Sequence, residues 1–235
     1  MCLIKHQRIL GIESTGFSVS VGLMDKGVPK GLIYLDDGTP GSRTLLSTID
    51  QLLSTLSMDK RSLEGICVSL GPGSFTSLRI SLSTAESMGL GLNIPVYGVN
   101  VLLLVAATVP FYPHLIKVIQ NAYKGEFYFA AYDTSQGDPI EVEKLKLGSP
   151  KLFFDSLKPN ELIVGNGLSQ LLERFDLRDK QVRWNMSFQR VVSGIGVIEY
   201  FLEKQAKPPS EIPLEPIYVR LSDAEINYAR QFKNR

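Results

Sequence analysis

Two glycines and a proline stand directly before a hydroxyl-rich segment in the stretch LGPGSFTSLR, residues 70–79. Glycines allow a tight turn after a strand, and Ser74 or Thr76 can cap the free amides at the start of a helix. The same amides, together with the helix dipole, could instead hold a phosphate. The stretch lacks the Gly-Lys-Ser/Thr ending of a Walker motif and the third glycine of a dinucleotide fingerprint. The local chemistry therefore favours a hinge and a helix cap over a phosphate site.

Side chains suited to metal binding or nucleophilic catalysis are scarce. The chain has two histidines, His6 and His114, and two cysteines, Cys2 and Cys67, each pair far apart in sequence. A metal site on a helix needs paired histidines on one face, and a hydrolase triad needs a histidine beside a placed base. We therefore predict no metal centre, no disulfide framework and no Ser/His/Asp set.

The elements that position these residues follow from alternating period-two and helical patterns. The first half predicts strands at 9–13, 17–23, 28–35, 64–70 and 95–99, with helices at 44–57 and 74–92. The second half repeats the order, with strands at 115–120, 126–133, 140–147, 161–165 and near Val182, and helices at 150–157, from about 168, and at about 191–204. Two such halves predict a duplicated α/β domain with any ligand between them. We expect lobes at 1–104 and 105–212, and an extended tail at 213–235 that packs back on the first lobe.

Composition points to a soluble globular protein. Hydrophobic residues make up 44% of the 235 residues, and the net charge of +1 argues against a protein that binds nucleic acid by itself through phosphate neutralisation. The longest apolar stretch, 94–112, is interrupted by prolines, glycine and asparagine, so a strand and a short helix fit better than a membrane span. The opening MCLIKHQR lacks the apolar segment of a signal peptide, and we expect a cytoplasmic protein with no membrane contact.

The GPGSFTSLRI segment resembles the GPGSFTGLRIG signature of the bacterial TsaB family, also called YeaZ, which acts in tRNA threonylcarbamoyladenosine biosynthesis. The opening ILGIESTGFSVSVGL, the middle NAYKGEFYFAAY, the VGNGL turn and the late EPIYVR occur in the order of that family. The resemblance implies a duplicated, two-lobed α/β fold of the actin-like class (ASKHA, ribonuclease H-like).

The same resemblance implies a role as a non-catalytic subunit. Family members bind the related catalytic subunit TsaD and, with the ATPase TsaE, support transfer of a threonylcarbamoyl group to adenosine-37 of tRNA. The resemblance implies no cofactor for this chain itself, ATP or ADP within the complex, and tRNA contact only through the complex. We also expect a homodimer when the partner is absent.

In enzymatic relatives of the implied fold, the first hairpin wraps phosphates and a carboxylate at its start helps to position a metal-nucleotide complex. The candidate nucleotide or phosphate contacts implied here are Glu13, Ser14, Thr15, Gly71, Gly73, Ser74, Thr76 and Arg79. In the second hairpin Asn121 stands where the family usually has aspartate, and an amide cannot act as a base. An active ATP-dependent transferase or kinase stays open as an alternative, but Asn121 argues against it.

A partner surface is predicted on two helices. Helix 44–57 places its apolar residues, Leu46 among them, on one arc, and its opposite side carries no charge, which is unusual for a face that meets only water. Small residues on helix 74–92 would let another helix approach closely, and Ser77 and Ser81 stand where the family usually has glycine. The predicted interface residues are Thr44, Ser47, Gln51, Ser54, Ser77, Ser81, Thr84 and Met88. A plain hydroxyl-rich solvent face, or an interaction module unconnected to tRNA, stays open.

Overall fold

The strands of the chain form two five-stranded sheets in a computed structural model that describes residues 7–16, 18–36, 43–186, 192–204 and 214–219. The first half contains β1 (Arg8–Glu13), β2 (Val19–Asp25), β3 (Val28–Leu35), α1 (Leu45–Thr55), β4 (Gly65–Gly71), α2 (Phe75–Leu92), β5 (Val96–Asn100) and α3 (Val101–Ala107). The second half contains β6 (Ile116–Asn121), β7 (Phe127–Asp133), β8 (Ile140–Gly148), α4 (Pro150–Asp155), β9 (Leu162–Val164), α5 (Leu168–Leu172), β10 (Arg183–Trp184) and α6 (Gly194–Lys204). Short 3-10 turns lie at Lys60–Ser62 and Leu177–Lys180.

The two sheets share one topology. The first has the strand order β3-β2-β1-β4-β5 and the second β8-β7-β6-β9-β10, so the order 3-2-1-4-5 occurs in both. In each sheet the first three strands are antiparallel, and the first strand pairs in parallel with the fourth. The duplicated α/β pattern predicted from the sequence is confirmed. Three predicted features lie outside the described residues. They are the strand residue Phe17, the break at residues 39–42 and residues 220–235 of the tail.

The two helices that end the halves lie between the sheets. α1 and α2 pack on one face of the first sheet, where they share a core with Leu10, Ile12 and Val21. On its other face, β1, β4 and β5 pack against α6, although α6 is the last helix of the described residues. α3 ends the first half but packs on β6 and β7 of the second sheet. Division of the chain at residue 104 therefore does not separate the two packing units.

Glycines bring the start of α6 into contact with the strand backbones of the first sheet. A Cβ atom on Gly11 would lie 1.9 Å from the carbonyl oxygen of Gly194, and one on Gly194 would lie 2.3 Å from the amide nitrogen of Gly22. The Gly194 amide also donates a hydrogen bond to Ser20 Oγ at 3.1 Å. Any side chain at these positions would push the helix off the sheet.

The late segment 214–219 lies against the first lobe. Leu214 is buried in the core beneath α1 and α2, and its amide donates to Glu86 Oε1 at 2.8 Å. The Ile217 amide donates to the Leu70 carbonyl oxygen, also at 2.8 Å. These contacts hold this segment beside α2.

Candidate functional site

A cavity of about 780 Å³ lies between the lobes. Its polar lining comes from residues at or just after the carboxyl ends of parallel strands: Glu13 from β1, Gln120 and Asn121 from β6, and Asn166 after β9. Open α/β sheets generally bind ligands at these strand ends. The apolar wall is formed by α3, β6 and the segment before α6, namely Val101, Leu102, Val105, Val118, Ile119 and Val192.

Glu13 is buried at the edge of this cavity. Its side chain is only 2% exposed, and Oε1 accepts hydrogen bonds from the Thr15 amide at 2.8 Å and from the Thr15 hydroxyl. Burial raises the pKa of the Glu13 carboxyl to about 7, and the two Thr15 bonds counteract only part of that rise. The folded chain therefore holds the Glu13 proton more tightly than a carboxyl in water does.

Contacts between the first hairpin and the second lobe cross one end of the cavity. Gln120 Nε2 donates to Thr15 Oγ1 at 3.4 Å, and the Tyr128 hydroxyl donates to the Gly73 carbonyl oxygen at 3.5 Å. On the second lobe, the Asn121 amide donates to Asn166 Oδ1, and Asn121 Oδ1 accepts from the Tyr123 amide, both at 2.8 Å. Asn121 thus shapes the second hairpin turn with its side-chain oxygen.

The structure places only some of the eight candidate phosphate contacts in the cavity lining. Glu13 and Thr15 line the cavity, whereas Ser14 is buried and does not. Gly73 packs behind the hairpin, where an added Cβ would lie 2.3 Å from the Thr15 carbonyl oxygen, and the Ser74 amide donates to that oxygen at 2.7 Å. The start of α2 therefore contacts protein rather than the cavity.

The remaining candidate phosphate contacts lie outside the cavity lining. Ser74 Oγ accepts from the Ser77 amide at 3.4 Å, so Ser74 caps α2. Gly71 adopts a φ of +99°, which favours glycine. Thr76 and Arg79 are exposed, and the Arg79 guanidinium lies 4.1 Å from the centre of the Phe75 ring.

The Arg79 contact continues onto the late segment. Arg79 Nε donates to the Tyr218 hydroxyl at 3.2 Å, and the Phe75 and Tyr218 rings lie 4.9 Å apart. This cluster is on the outer side of the first lobe, away from the cavity lining.

Sequence reasoning missed several cavity residues. Gln120, Asn166 and Val105 were not singled out, and neither were Tyr34 and Asp36 at the end of β3. A usable signal was present for Gln120 and Asn166, because each lies at or just beyond the end of a predicted parallel strand. The β3 residues carry no comparable signal.

The predicted partner surface needs correction on α2. Ser77 and Ser81 are 1% and 0% exposed, and their hydroxyls donate to the carbonyl oxygens of Gly16 and Leu78. At about 100° per residue they lie beside the apolar stripe of α2 rather than opposite to it. Thr84 and Met88 are half-buried on that same flank, and Met88 packs against the core.

The predicted residues of α1 are more accessible. Ser47, Gln51 and Ser54 are exposed, and Thr44 before the helix is half-buried. Leu46, which the sequence placed on the buried arc, is instead 61% exposed. We call the following exposed residues the α1/α2 outer face: Leu46, Ser47, Gln51, Ser54, Thr76, Ile80, Ser83 and Ser87.

The described residues contain no group of three or more His, Cys, Asp or Glu side chains placed to hold a metal ion. Among the helices of the described ranges, none is both long enough and apolar enough to cross a membrane.

Sequence comparisons find similar proteins that are described by their part in one tRNA modification. Residues 41–141 match the family model TsaD, tRNA N6-adenosine threonylcarbamoyltransferase. The tRNA threonylcarbamoyladenosine biosynthesis protein TsaB of Buchnera aphidicola subsp. Schizaphis graminum is 28% identical over 74% of this chain and 85% of its own length. The Bacillus subtilis protein of the same description is also 28% identical, over 55% of this chain and 56% of its own length. The chain thus spans little more than half of that second relative.

Solved structures show the same fold. A Pseudomonas aeruginosa protein described as similar to peptidase YEAZ aligns over 91% of this chain and all of its own, with a TM-score of 0.70 and 18% identity. A structure described as YeaZ from Pseudomonas aeruginosa aligns over 90% of this chain with a TM-score of 0.67 and 18% identity. With the repeated 3-2-1-4-5 sheets, these matches confirm the predicted two-lobed, actin-like α/β class.

Proposed function

We propose, from the membership of this chain in the TsaB/YeaZ family, that it is a non-catalytic subunit of the tRNA threonylcarbamoyladenosine modification complex. The observation that carries the proposal is the match to a TsaB protein over three quarters of the chain. In this role it binds a TsaD-like catalytic subunit and works with a TsaE-like ATPase. It needs no cofactor of its own, ATP or ADP is bound within the complex, and tRNA is contacted through the complex.

The chemistry of the cavity supports a non-catalytic role. At the first hairpin, Glu13 Oε1 already accepts two hydrogen bonds from Thr15. The second hairpin offers Asn121, whose amide cannot take up a proton from a reacting group. A transferase of this fold would need an ionised carboxylate in both places.

The α1/α2 outer face supports a helix-mediated interface. Two large apolar side chains, Leu46 at 61% and Ile80 at 38% exposure, lie among mostly uncharged polar ones, with the exposed Asp50 on α1 and Arg79 on α2 beside them. Interface centres are depleted of charged residues and enriched in apolar area. We propose that this face binds the TsaD-like subunit, and that it pairs with a second copy of the chain when that subunit is absent.

A reconstituted reaction tests the function. Cognate TsaD-like and TsaE-like proteins, donor synthase, ATP, threonine, bicarbonate and tRNA are combined with and without this chain, and modified adenosine is measured by mass spectrometry. We expect product only with the chain present and no ATP hydrolysis by the chain alone. ATP turnover by the isolated chain would favour the transferase or kinase alternative. An unchanged yield on omission would favour a module unconnected to tRNA.

A matched pair of variants tests the interface. Ile80→Arg adds a charge to the α1/α2 outer face, and Ile140→Arg makes the same change at an exposed isoleucine on β8 of the second lobe. We expect Ile80→Arg to prevent co-elution with the TsaD-like subunit and to shift the isolated chain toward monomer in sedimentation. Ile140→Arg should change neither the co-elution nor the sedimentation. Equal behaviour of the two variants would refute the assignment of the interface to the α1/α2 outer face.

A further inference from the structure

The cavity between the lobes has an acidic lining. Glu13 and Asp36 contribute carboxyl groups, and no Lys, Arg or His is among the described residues that line it. A phosphate or carboxylate ligand would therefore meet two acidic groups with no cation in that lining to offset them. The charge of the lining disfavours an anion that enters without a metal ion.

Two side chains of the lining offer acceptor oxygens to a ligand. Glu13 is 2% exposed and lines the cavity, and both bonds from Thr15 go to its Oε1. Gln120 is 5% exposed and also lines the cavity, and its buried Oε1 has no hydrogen-bond partner among the described residues. A buried oxygen without a partner is costly, so a donor that enters the cavity and reaches it would be stabilised.

The groups that face Glu13 reinforce its preference for a donor. At the end of β3, the Tyr34 hydroxyl donates to Asp36 Oδ2 at 3.5 Å, and the pKa of Tyr34 is raised chiefly by burial and further by the charges of Asp36 and Glu13. The second hairpin contributes Tyr123, and β6 contributes the uncharged Gln120. None of these groups supplies a positive charge.

The opposite wall is apolar. Val101, Leu102 and Val105 come from α3, and Val118 and Val192 complete the surface. A volume of about 780 Å³ lies within the range of small-molecule sites, which combine an apolar lining with a few polar groups. The ligand that fits both walls carries a charged head and an apolar body.

We propose that this cavity binds a small organic cation, with a primary ammonium group donating to Glu13 and Asp36 and an apolar body against the valine-rich wall. The proposal does not depend on the role of the chain in tRNA modification. It assigns a ligand class to the cavity from its charge and shape alone.

Binding should strengthen as pH rises. The ammonium group pairs with ionised Glu13, whose pKa is about 7, and a primary amine stays protonated well above that value. Between pH 6 and pH 8 the ionised fraction of Glu13 rises about tenfold, so the affinity should rise by up to about tenfold.

Three fragments of one shape test the ligand class. Benzylamine, benzyl alcohol and benzoate present a cation, a neutral group and an anion on the same ring, and Mg-ATP serves as the nucleotide probe. Titration into the isotopically labelled full chain is followed by amide chemical shifts of Thr15, Gly16 and Gly165 in NMR spectra. We expect benzylamine to bind most tightly and to shift these amides, with benzyl alcohol weaker and the two anions weakest.

Variants separate the site from the fold. Glu13→Gln should abolish the pH dependence and reduce benzylamine affinity, and Asp36→Asn, at an exposed position, should weaken binding without affecting folding. Glu173→Gln removes an exposed charge outside the cavity and should have no effect. The proposal is wrong if benzylamine causes no shifts at these amides, if benzyl alcohol matches it, if benzoate or Mg-ATP binds better, or if Asp36→Asn and Glu173→Gln behave alike.

Discussion

The buried Glu13 carboxyl should make the stability of the fold depend on pH. Its pKa rises from 4.5 to about 7 on folding because burial disfavours the charged form. The folded chain therefore holds this proton more tightly than the unfolded chain, and stability falls as pH rises between these values. The contribution is fully present below pH 4.5 and is lost by ionisation above pH 7.

The size of the effect follows from the two pKa values. Linkage between 4.5 and 7 predicts that ionisation of Glu13 lowers the free energy of unfolding by about 2.5 kcal/mol between pH 5 and pH 8. Glu13→Gln keeps an oxygen for the two Thr15 bonds but cannot ionise. Relative to the parent chain, this variant should gain about 2.5 kcal/mol on going from pH 5 to pH 8.

Urea denaturation at both pH values measures this difference. The comparison between variant and parent cancels the other titrating groups, including Glu161 and Glu199, whose pKa values are also raised by burial. Glu173→Gln, at an exposed position, serves as the control and should give a constant difference. If the parent and Glu13→Gln curves shift in parallel with pH, Glu13 ionises in the folded state as it does in water, and the argument from burial fails.

Three further changes test the packing by chemical denaturation. Gly11→Ala places a Cβ 1.9 Å from a carbonyl oxygen of α6 and should cost about 3 kcal/mol, whereas Gly91→Ala has nothing within 4 Å and should stabilise the chain by about 0.5 kcal/mol. Lys117→Met removes the ammonium group that lies 2.7 Å from Glu143 Oε1 and 3.8 Å from Oε1 of the buried Glu161, and it should cost about 3 kcal/mol. Addition of Glu161→Gln should recover part of that loss. Leu214→Ala removes a side chain that is 6% exposed from the first core and should cost about 2 kcal/mol.

The sequence predicted the sheets well because their patterns are local. The alternation around Val19 and Val21 identified a strand, and the paired halves revealed the duplication. The α2 surface was predicted less well, because Ser77 and Ser81 are small enough to be buried beside the apolar stripe. The position of α6 could not be predicted, because nothing near residue 194 indicates that Gly11 and Gly22 will lie against it.

The contacts of the glycines before α2 could not be predicted from the sequence for a similar reason. Glycines before a helix indicate that the backbone there makes a close contact. They do not indicate whether the contacting group belongs to a ligand or to another part of the chain. Here Gly73 approaches the Thr15 carbonyl oxygen of the neighbouring hairpin. The cavity itself arises where the two lobes meet, so its lining combines residues such as Glu13 and Asn166 that are distant in sequence.

The late position of α6 in the chain has a consequence for synthesis on the ribosome. The hydrogen bond between the Gly194 amide and Ser20 Oγ joins residues 174 positions apart. The second face of the first sheet can therefore be covered only after most of the chain has been synthesised. Until then Ile9, Met24 and Cys67, which pack under α6, remain open to solvent. Such long-range closure slows folding and leaves the nascent first lobe dependent on chaperones. A chain that stops before α6 should bind the dye ANS strongly, and separate expression of the two halves should not yield two folded lobes.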